Sequence, residues 1–565
     1  MQSGTGKDFG KSATNVKKTQ AQSILHGIAV PQEFAIRIKR APMSLSFLRH
    51  GFVIPCVLAL ATPLFAQLPQ VKTDPLPPNQ MIQGSGACSA TEPSSCAQAA
   101  SKITPVVMGE SPLEGNLRRL TDEIGGRVSG SPEYAKAVAW GIAGFRAAGV
   151  AVHTETFSLP ATWSEGDSRL ELSGPETFKI SFVSVGLSPA TPESGLEAPL
   201  VNVGYGSEPE FAKAGTAVNG AILVVNDDLG TTWADLFDEY SRPPAIIERA
   251  IKGGARAILW TGERERKLLY RHTNSSDGTI EKVPQAVLAR EDALRLQRAI
   301  DSFPGKMRAK LVLPNKINGP VEQENVVGEI RGYEKPDEIV VLGAHLDSWE
   351  LGTGALDNGC NAAMVIEAAR AIKASGLVPR RTIRFILFGG EEQGMIGSWG
   401  YVRAHRAELD KFRGVIVFDS GVGRVTGYSL GGRADIEPGV NEILKPFTSW
   451  GVDHHTLDAE WGTDHFDFML EGVPTLVANQ EISNYLFNYH AASDTFDKVD
   501  IRELKLNTVL AAVTAWGVAD RVEPIGPRLN RAEIEKLLKQ TGLAEQLKTL
   551  GYWDGWQSGI RGRQP

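Results

Sequence analysis

Four short apolar runs in the second half of the chain each break off at a histidine or a carboxylate. Residues 338–344 (EIVVLGA) lead into His345-Leu346-Asp347, residues 382–388 (TIRFILF) reach Glu391-Glu392, residues 414–418 stop at Asp419, and residues 474–478 lead toward the loop that holds His490. Runs of this length and composition read as buried strands. Residues 361–375 between the first two are an Ala-rich helix with Val365, Ile366, Ala369 and Ile372 available for packing. Short apolar strands with helical material between them predict an α/β fold, a mixed central sheet flanked by helices. Loops beyond the carboxyl ends of strands are where such sheets carry function. One fold can therefore gather His345, Asp357, Glu391, Glu392, Asp419 and His490, with Asp357 placed near the amide donors of the helix that follows it.

The residue types narrow the chemistry. Imidazoles and carboxylates suit Zn²⁺, and the absence of a thiolate cluster argues against a structural zinc finger. Two cations would offset several carboxylates that otherwise repel one another, leaving one carboxylate to accept a proton from water. Taken singly, each residue has a plainer role. His345 or His490 can be a hydrogen-bonded histidine, Glu391-Glu392 a solvated helix start, Asp357 an N-cap and Asp419 the end of a strand. Their recurrence at successive strand exits weighs against those roles. Gly343, Gly352, Gly354, Gly359, Gly389 and Gly390 crowd the same exits, yet no phosphate or dinucleotide fingerprint is complete among them. A net charge of -7 over 565 residues is too mild and diffuse to suggest a nucleic-acid partner.

The chain divides by composition. Residues 51–66 (GFVIPCVLALATPLFA) follow Arg49 and His50 and have the length of a signal-peptide core; a lasting membrane span needs about 20 apolar residues. Cleavage is expected after Ala66, with an exported product, periplasmic or extracellular. The polar stretch 1–42 does not belong ahead of such a segment. Met43 supplies a normal start, so residues 1–42 are expected to be untranslated or dispensable and 43–66 to be the signal peptide. Residues 67–108 read as a flexible lead, in which Cys88 and Cys96 could close a small disulfide loop. Residues 109–159 carry helical spacing at Leu117, Leu120 and Ile124 and a second helix over 135–148. Short strands, among them 178–182, 221–225 and 254–260, mark 160–315 as an insert that shapes access to the other domain. Residues 316–525 form the catalytic domain, and 526–565 a helical tail without chemical signature. Asn274-Ser275-Ser276 meets the glycosylation pattern, a weak signal.

The segments GAHLDSWELGTGALDNG, FGGEEQGMIGS, VFDSG and YHAASDT closely resemble a co-catalytic zinc exopeptidase family. That family contains bacterial leucyl aminopeptidases, glutamate carboxypeptidases and the non-enzymatic transferrin receptor. The nearest branch is that of plasma glutamate carboxypeptidase, or carboxypeptidase Q. The likeness reaches LTDEIGGRVSGSP and spans most of 111–520; VNVGYG, VNGAILVV and GGARAILW look like the family's protease-associated, β-rich insert. The resemblance implies two Zn²⁺ ions, His345 and Asp419 binding one, Glu392 and His490 the other, and Asp357 bridging. It implies Glu391 as general base toward an attacking water, Asp347 as the residue orienting His345, and weaker supporting roles for Asp464 and Asp494. Retention of every expected type favours an enzyme over a receptor-like binding protein. A serine hydrolase is disfavoured, since Ser348 and Ser398 lack a Ser/His/acid arrangement. Short peptides are the implied substrate, and a homodimer is compatible with the family. The carboxypeptidase Q resemblance implies dipeptides or short peptides with a free C-terminus and leaves an aminopeptidase as the alternative: a carboxypeptidase needs Arg or Lys at the cleft, with Arg127, Arg424 and Arg433 unplaced, while an aminopeptidase needs acidic or carbonyl groups near the free amine.

Overall fold

The computed structural model describes residues 95–565. A seven-stranded mixed sheet runs, in spatial order, Ala151–Leu159, Val321–Ile330, Arg381–Phe388, Lys335–His345, Phe412–Val417, Thr475–Gln480, Val425–Ser429. The strand bearing His345 lies between and parallel to Arg381–Phe388 and Phe412–Val417. Thr475–Gln480 continues the parallel set. Parallel neighbours place their carboxyl ends on one edge, so His345, the turn after Phe388 and Asp419 are brought together by topology alone. Antiparallel strands finish both sides of the sheet.

Helices cover both faces, as buried parallel strands require. Cys360–Ala374 and Ile501–Asp520 are apolar almost all round and bury Met364, Val365, Ile372, Leu510 and Val513 against the sheet. The opposite face is closed by Tyr401, Val402, Leu409 and Phe468. A correction concerns the lead expected over 67–108. Residues Ser95–Met108 are a helix that buries Cys96, Ala99, Ile103 and Val107 in the main core. These small and branched residues share one face of the helix. Cys96 is disulfide-bonded; Cys88, the expected partner, lies outside the described residues, as do the signal segment and residues 1–42. Cys360 is free and buried.

The insert has its own seven-stranded sheet, ordered Arg169–Ser173, Arg308–Val312, Leu196–Asn202, Ile222–Val225, Ala257–Thr261, Gln285–Leu288, Phe182–Ser184. Its centre is parallel, and helices such as Pro243–Lys252 and Arg290–Ser302 pack on it, so the unit is α/β rather than simply β-rich. The strand expected over 178–182 begins only at Phe182, because the Ser181 amide donates to the Asp292 carboxylate at 3.0 Å. The tail breaks into Arg531–Gln540 and Leu543–Thr549 at Gly542, whose φ of 80° suits glycine. Among the described residues no helix is long and apolar enough to cross a membrane.

Ile103 has no solvent exposure. Ile103→Ala should therefore destabilise the whole catalytic half by about 2–5 kcal/mol, read as a lowered midpoint in urea denaturation. An unchanged midpoint would return Ser95–Met108 to the status of a lead.

Candidate metal centre

His345, the last residue of its strand, sets the geometry. Its Nδ1 lies 3.0 Å from the Asp347 carbonyl, a bond that fixes the ring and leaves Nε2 directed inward. Nε2 lies 3.0 Å from Asp357 Oδ1, 3.1 Å from Asp419 Oδ1 and 4.0 Å from Glu391 Oε2. The second imidazole faces the same centre from the other side: His490 Nε2 is 2.9 Å from Glu392 Oε2 and 3.3 Å from Asp357 Oδ2. Asp357 thus turns one oxygen to each histidine.

The supporting groups are equally specific. Asp494 accepts from the Leu356 and Asp357 amides at 2.7 and 3.1 Å, holding the loop that carries Asp357. Tyr485, unremarked in the sequence, donates to Asp357 Oδ2 at 3.2 Å. Asp347 accepts from the Glu391 amide at 3.3 Å through Oδ1 while its carbonyl holds His345, so one residue ties the two together. Gly389 is required just before the paired glutamates, since a Cβ there would meet the Tyr134 hydroxyl at 1.8 Å. Arg127 is fully buried; it donates to the carbonyls of Leu346, Thr353 and Gly354 and clamps the loop between His345 and Asp357. Ser348 and Ser398 serve local structure, one accepting from the Arg127 amide and the other donating to the Met395 carbonyl.

The insert does more than the sequence foretold. Its Arg271 amide donates to the His490 carbonyl at 3.0 Å, and the Ala492 amide donates to the Leu269 carbonyl. His490 itself adopts φ 57°, uncommon for a residue with a side chain. The loop is thus held by backbone pairing to a different domain. Tyr240 of the insert meets the Tyr489 hydroxyl at 2.8 Å, and the Tyr489 ring stacks on His490. Asn274 is no open glycosylation acceptor, because its amide nitrogen donates to Gln285 at 2.9 Å.

Electrostatics shows what the cluster lacks. Burial pushes Glu392 up to about 7, with Asp357 adding repulsion and His490 opposing it. Burial likewise drives Glu391 well above the carboxylate range, against the pull of His345 and with help from Asp419, Asp464 and Glu392. Glu392 Oε1 and His490 Nδ1 are buried with no hydrogen-bond partner among the described residues. The donor atoms of His345, Glu391 and Asp419, and those of His345, Asp357 and Glu392, each lie within 4.8 Å of one another. Nitrogen and carboxylate donors, crowded and short of positive charge, fit zinc. Two candidate clusters sharing His345, with His490 reaching the second, fit a co-catalytic pair.

Comparison with known proteins agrees with this geometry. The model of peptidase family M28 matches residues 325–515. Carboxypeptidase Q of Mus musculus is 30% identical over 411 residues, covering 72% of this chain and 85% of that protein. The chain belongs to peptidase family M28. A solved peptidase M28 precursor from Shewanella amazonensis SB2B superposes with a TM-score of 0.68 at 27% identity, over 77% of this chain and 98% of that one. BSAP, a zinc aminopeptidase from Bacillus subtilis, has the same fold at 20% identity, with a TM-score of 0.57 over 78% and 99% of the two chains. With both candidate metal clusters in place, the chain is a zinc-dependent exopeptidase of that family rather than a receptor-like member of it.

Metal bound to the native state alone stabilises it by about 4 kcal/mol when free ion exceeds its Kd a thousandfold. Chelation should lower Tm and added Zn²⁺ restore it. Metal analysis at fixed zinc should find two ions per chain in the wild type and fewer in Glu392→Gln. Full occupancy and unchanged Tm in Glu392→Gln would remove Glu392 from the ligand set.

Proposed function

We propose that this M28 exopeptidase releases the N-terminal residue of short peptides, dipeptides among them. The charge of the cavity carries the reading. Beside the metal cluster is a cavity of about 730 Å³ lined by Asp458 and Glu460 but, among the described residues, by no Arg or Lys. A fixed guanidinium or ammonium is what holds a substrate carboxylate, whereas carboxylates hold a free ammonium. The arginines the sequence offered are engaged elsewhere: Arg127 in its carbonyl clamp, Arg424 on Glu481 and Arg433 on Asp435. Burial, with Asp458 adding, raises Glu460 to about 7, so an incoming ammonium supplies the counter-charge it lacks. The mouse relative's name points to the opposite terminus; attack there would leave the substrate carboxylate without a guanidinium or ammonium among the described lining residues.

His345 and Asp419 would hold one zinc ion, Glu392 and His490 the other, with Asp357 between them. Zinc bound there supplies Lewis acidity toward the scissile carbonyl and eases ionisation of the attacking water. Glu391 accepts the proton from that water and returns it to the departing amine. Asp347 positions Glu391 by accepting from its backbone amide, and the same residue keeps His345 Nε2 turned inward. Tyr240 of the insert and Leu550 and Tyr552 of the tail line the cavity around the reacting bond.

Export belongs to the same proposal. It is supported by the signal-like segment 51–66 and by the disulfide at Cys96, a bond of oxidising compartments. Intact-mass analysis of native protein should find a chain that begins near Gln67; a cytoplasmic product retaining residues 43–66 would defeat export.

N-acetylated peptides should resist cleavage while their C-amidated counterparts are trimmed from the free amine, as followed by mass spectrometry. The reverse pattern would assign a carboxypeptidase. Glu391→Gln should retain both metals and lose about 10²–10⁴-fold in kcat; near-normal turnover with two metals bound would exclude it as the base.

A further inference from the structure

We propose that the C-terminal tail is a length gate that walls off the leaving-peptide side of the cavity and restricts the enzyme to very short substrates. The inference rests on the aminopeptidase reading above and adds to it the extent of peptide beyond the scissile bond.

The tail lies outside residues 325–515, which carry the family match. It is nonetheless fastened to the catalytic domain as firmly as a core element. Ile534, Leu538, Leu543, Leu547 and Trp556 are buried in one cluster with Met395, Phe466 and Leu470 of the catalytic domain. Arg561, almost fully buried, donates to both Asp467 oxygens at 2.8 and 2.9 Å. Its guanidinium also lies 5.2, 5.4 and 4.8 Å from the rings of Trp399, Phe466 and Tyr552. A buried, bidentate, ring-enclosed ion pair resists separation far more than a surface pair does.

This anchorage leads directly to the base. Arg561 also donates to the Gly394 carbonyl at 3.1 Å. The Gly394 and Met395 amides both donate to the Glu391 carbonyl at 2.9 Å, so the tail grips the very turn that presents Glu391. Gly394, Met395, Leu550 and Tyr552 all line the cavity, as does Ser276 of the insert. Ser276 presses on the turn: a Cβ on Gly394 would meet the Ser276 carbonyl at 2.4 Å, and one on Gly551 would lie 3.7 Å from the Ser276 hydroxyl. Insert, catalytic turn and tail therefore meet beside Glu391 and close the cavity there.

Glu391 delivers its proton to the departing amine, so the leaving peptide must extend past Glu391. An extended chain needs about 3.3–3.6 Å per residue, and Leu550, Tyr552 and Ser276 line the cavity alongside the Glu391 turn that the leaving peptide would pass. The wall thus selects against length on the leaving side while leaving the N-terminal residue's own site unchanged in kind.

The test is the ratio of kcat/KM for an alanine hexapeptide to that for Ala-Ala. In the wild type it should lie well below one. Opening the wall with Leu550→Ala together with Gln546→Ala should raise it about tenfold or more, the scale on which one added or missing group in a pocket discriminates. Gln546→Trp, at a half-buried lining position, should lower it further and guards against misfolding of the double variant. A wild-type ratio near one, or a ratio unmoved by both opening and narrowing, would overturn the gate. Cleavage of N-acetylated peptides would instead overturn the aminopeptidase reading, whatever the length profile.

Discussion

Asp357, Glu391, Glu392, Asp419 and Asp464 converge around His345 and His490, with Arg127 adding a more distant positive charge. Carboxylates taken from water without partners are costly, and packing them side by side adds repulsion. Burial drives Asp464 well above the usual carboxylate range despite His345 nearby. A sequence that retains this arrangement is one whose native state includes cations. The same constraint explains the precision around it: Asp494 holds the Asp357 loop by its amides, Asp347 joins His345 to Glu391, and Arg127 spends its donors on carbonyls while its charge favours the nearby carboxylates.

The convergence of these side chains was legible from sequence because two simple rules coincide there. Buried parallel strands announce themselves as short apolar runs, and parallel neighbours place their ends on one edge. Each of the four runs read from the sequence forms a strand of the main sheet, and His345, Asp419 and the paired glutamates stand at or just past strand ends. Asp357 was legible for a different reason, its place ahead of an Ala-rich helix. His490 was reachable only through the motif around it. It lies in a loop whose conformation depends on pairing with residues 269–271, more than two hundred positions earlier.

The insert's part in shaping access was expected; what stayed hidden was how the wall of the cavity is built and that the tail joins it. The insert showed no chemical cluster and the tail only a helical period, since neither contributes a residue type that stands out in one dimension. Their contributions are relational. Tyr240 matters through Tyr489, Ser276 through Gly394, and Arg561 through Asp467. The helix at Ser95–Met108 was hidden for a further reason. Its buried face is built from Cys, Ala, Ile and Val, and Pro105 stands inside the helix, which reads as linker composition until a partner surface is present.

A metal pair and a base can hydrolyse a peptide bond anywhere in a chain, so end-specificity must come from what surrounds them. Here the surroundings come from three stretches distant in sequence: the insert helix Trp233–Ser241, the loop with Asp458 and Glu460, and the tail. Two of them are tied to the metal centre by separate contacts, the first through Tyr240 and Tyr489 and the last through Arg561 and the Glu391 turn. A wall made this way can change without disturbing the ligands, because no ligand belongs to the insert helix or the tail. It also cannot swing away without losing buried apolar area and the Arg561–Asp467 pair. Selection for peptide length can therefore be adjusted in the tail, and selection for a terminus in the acidic loop, while the chemistry at the strand ends stays fixed.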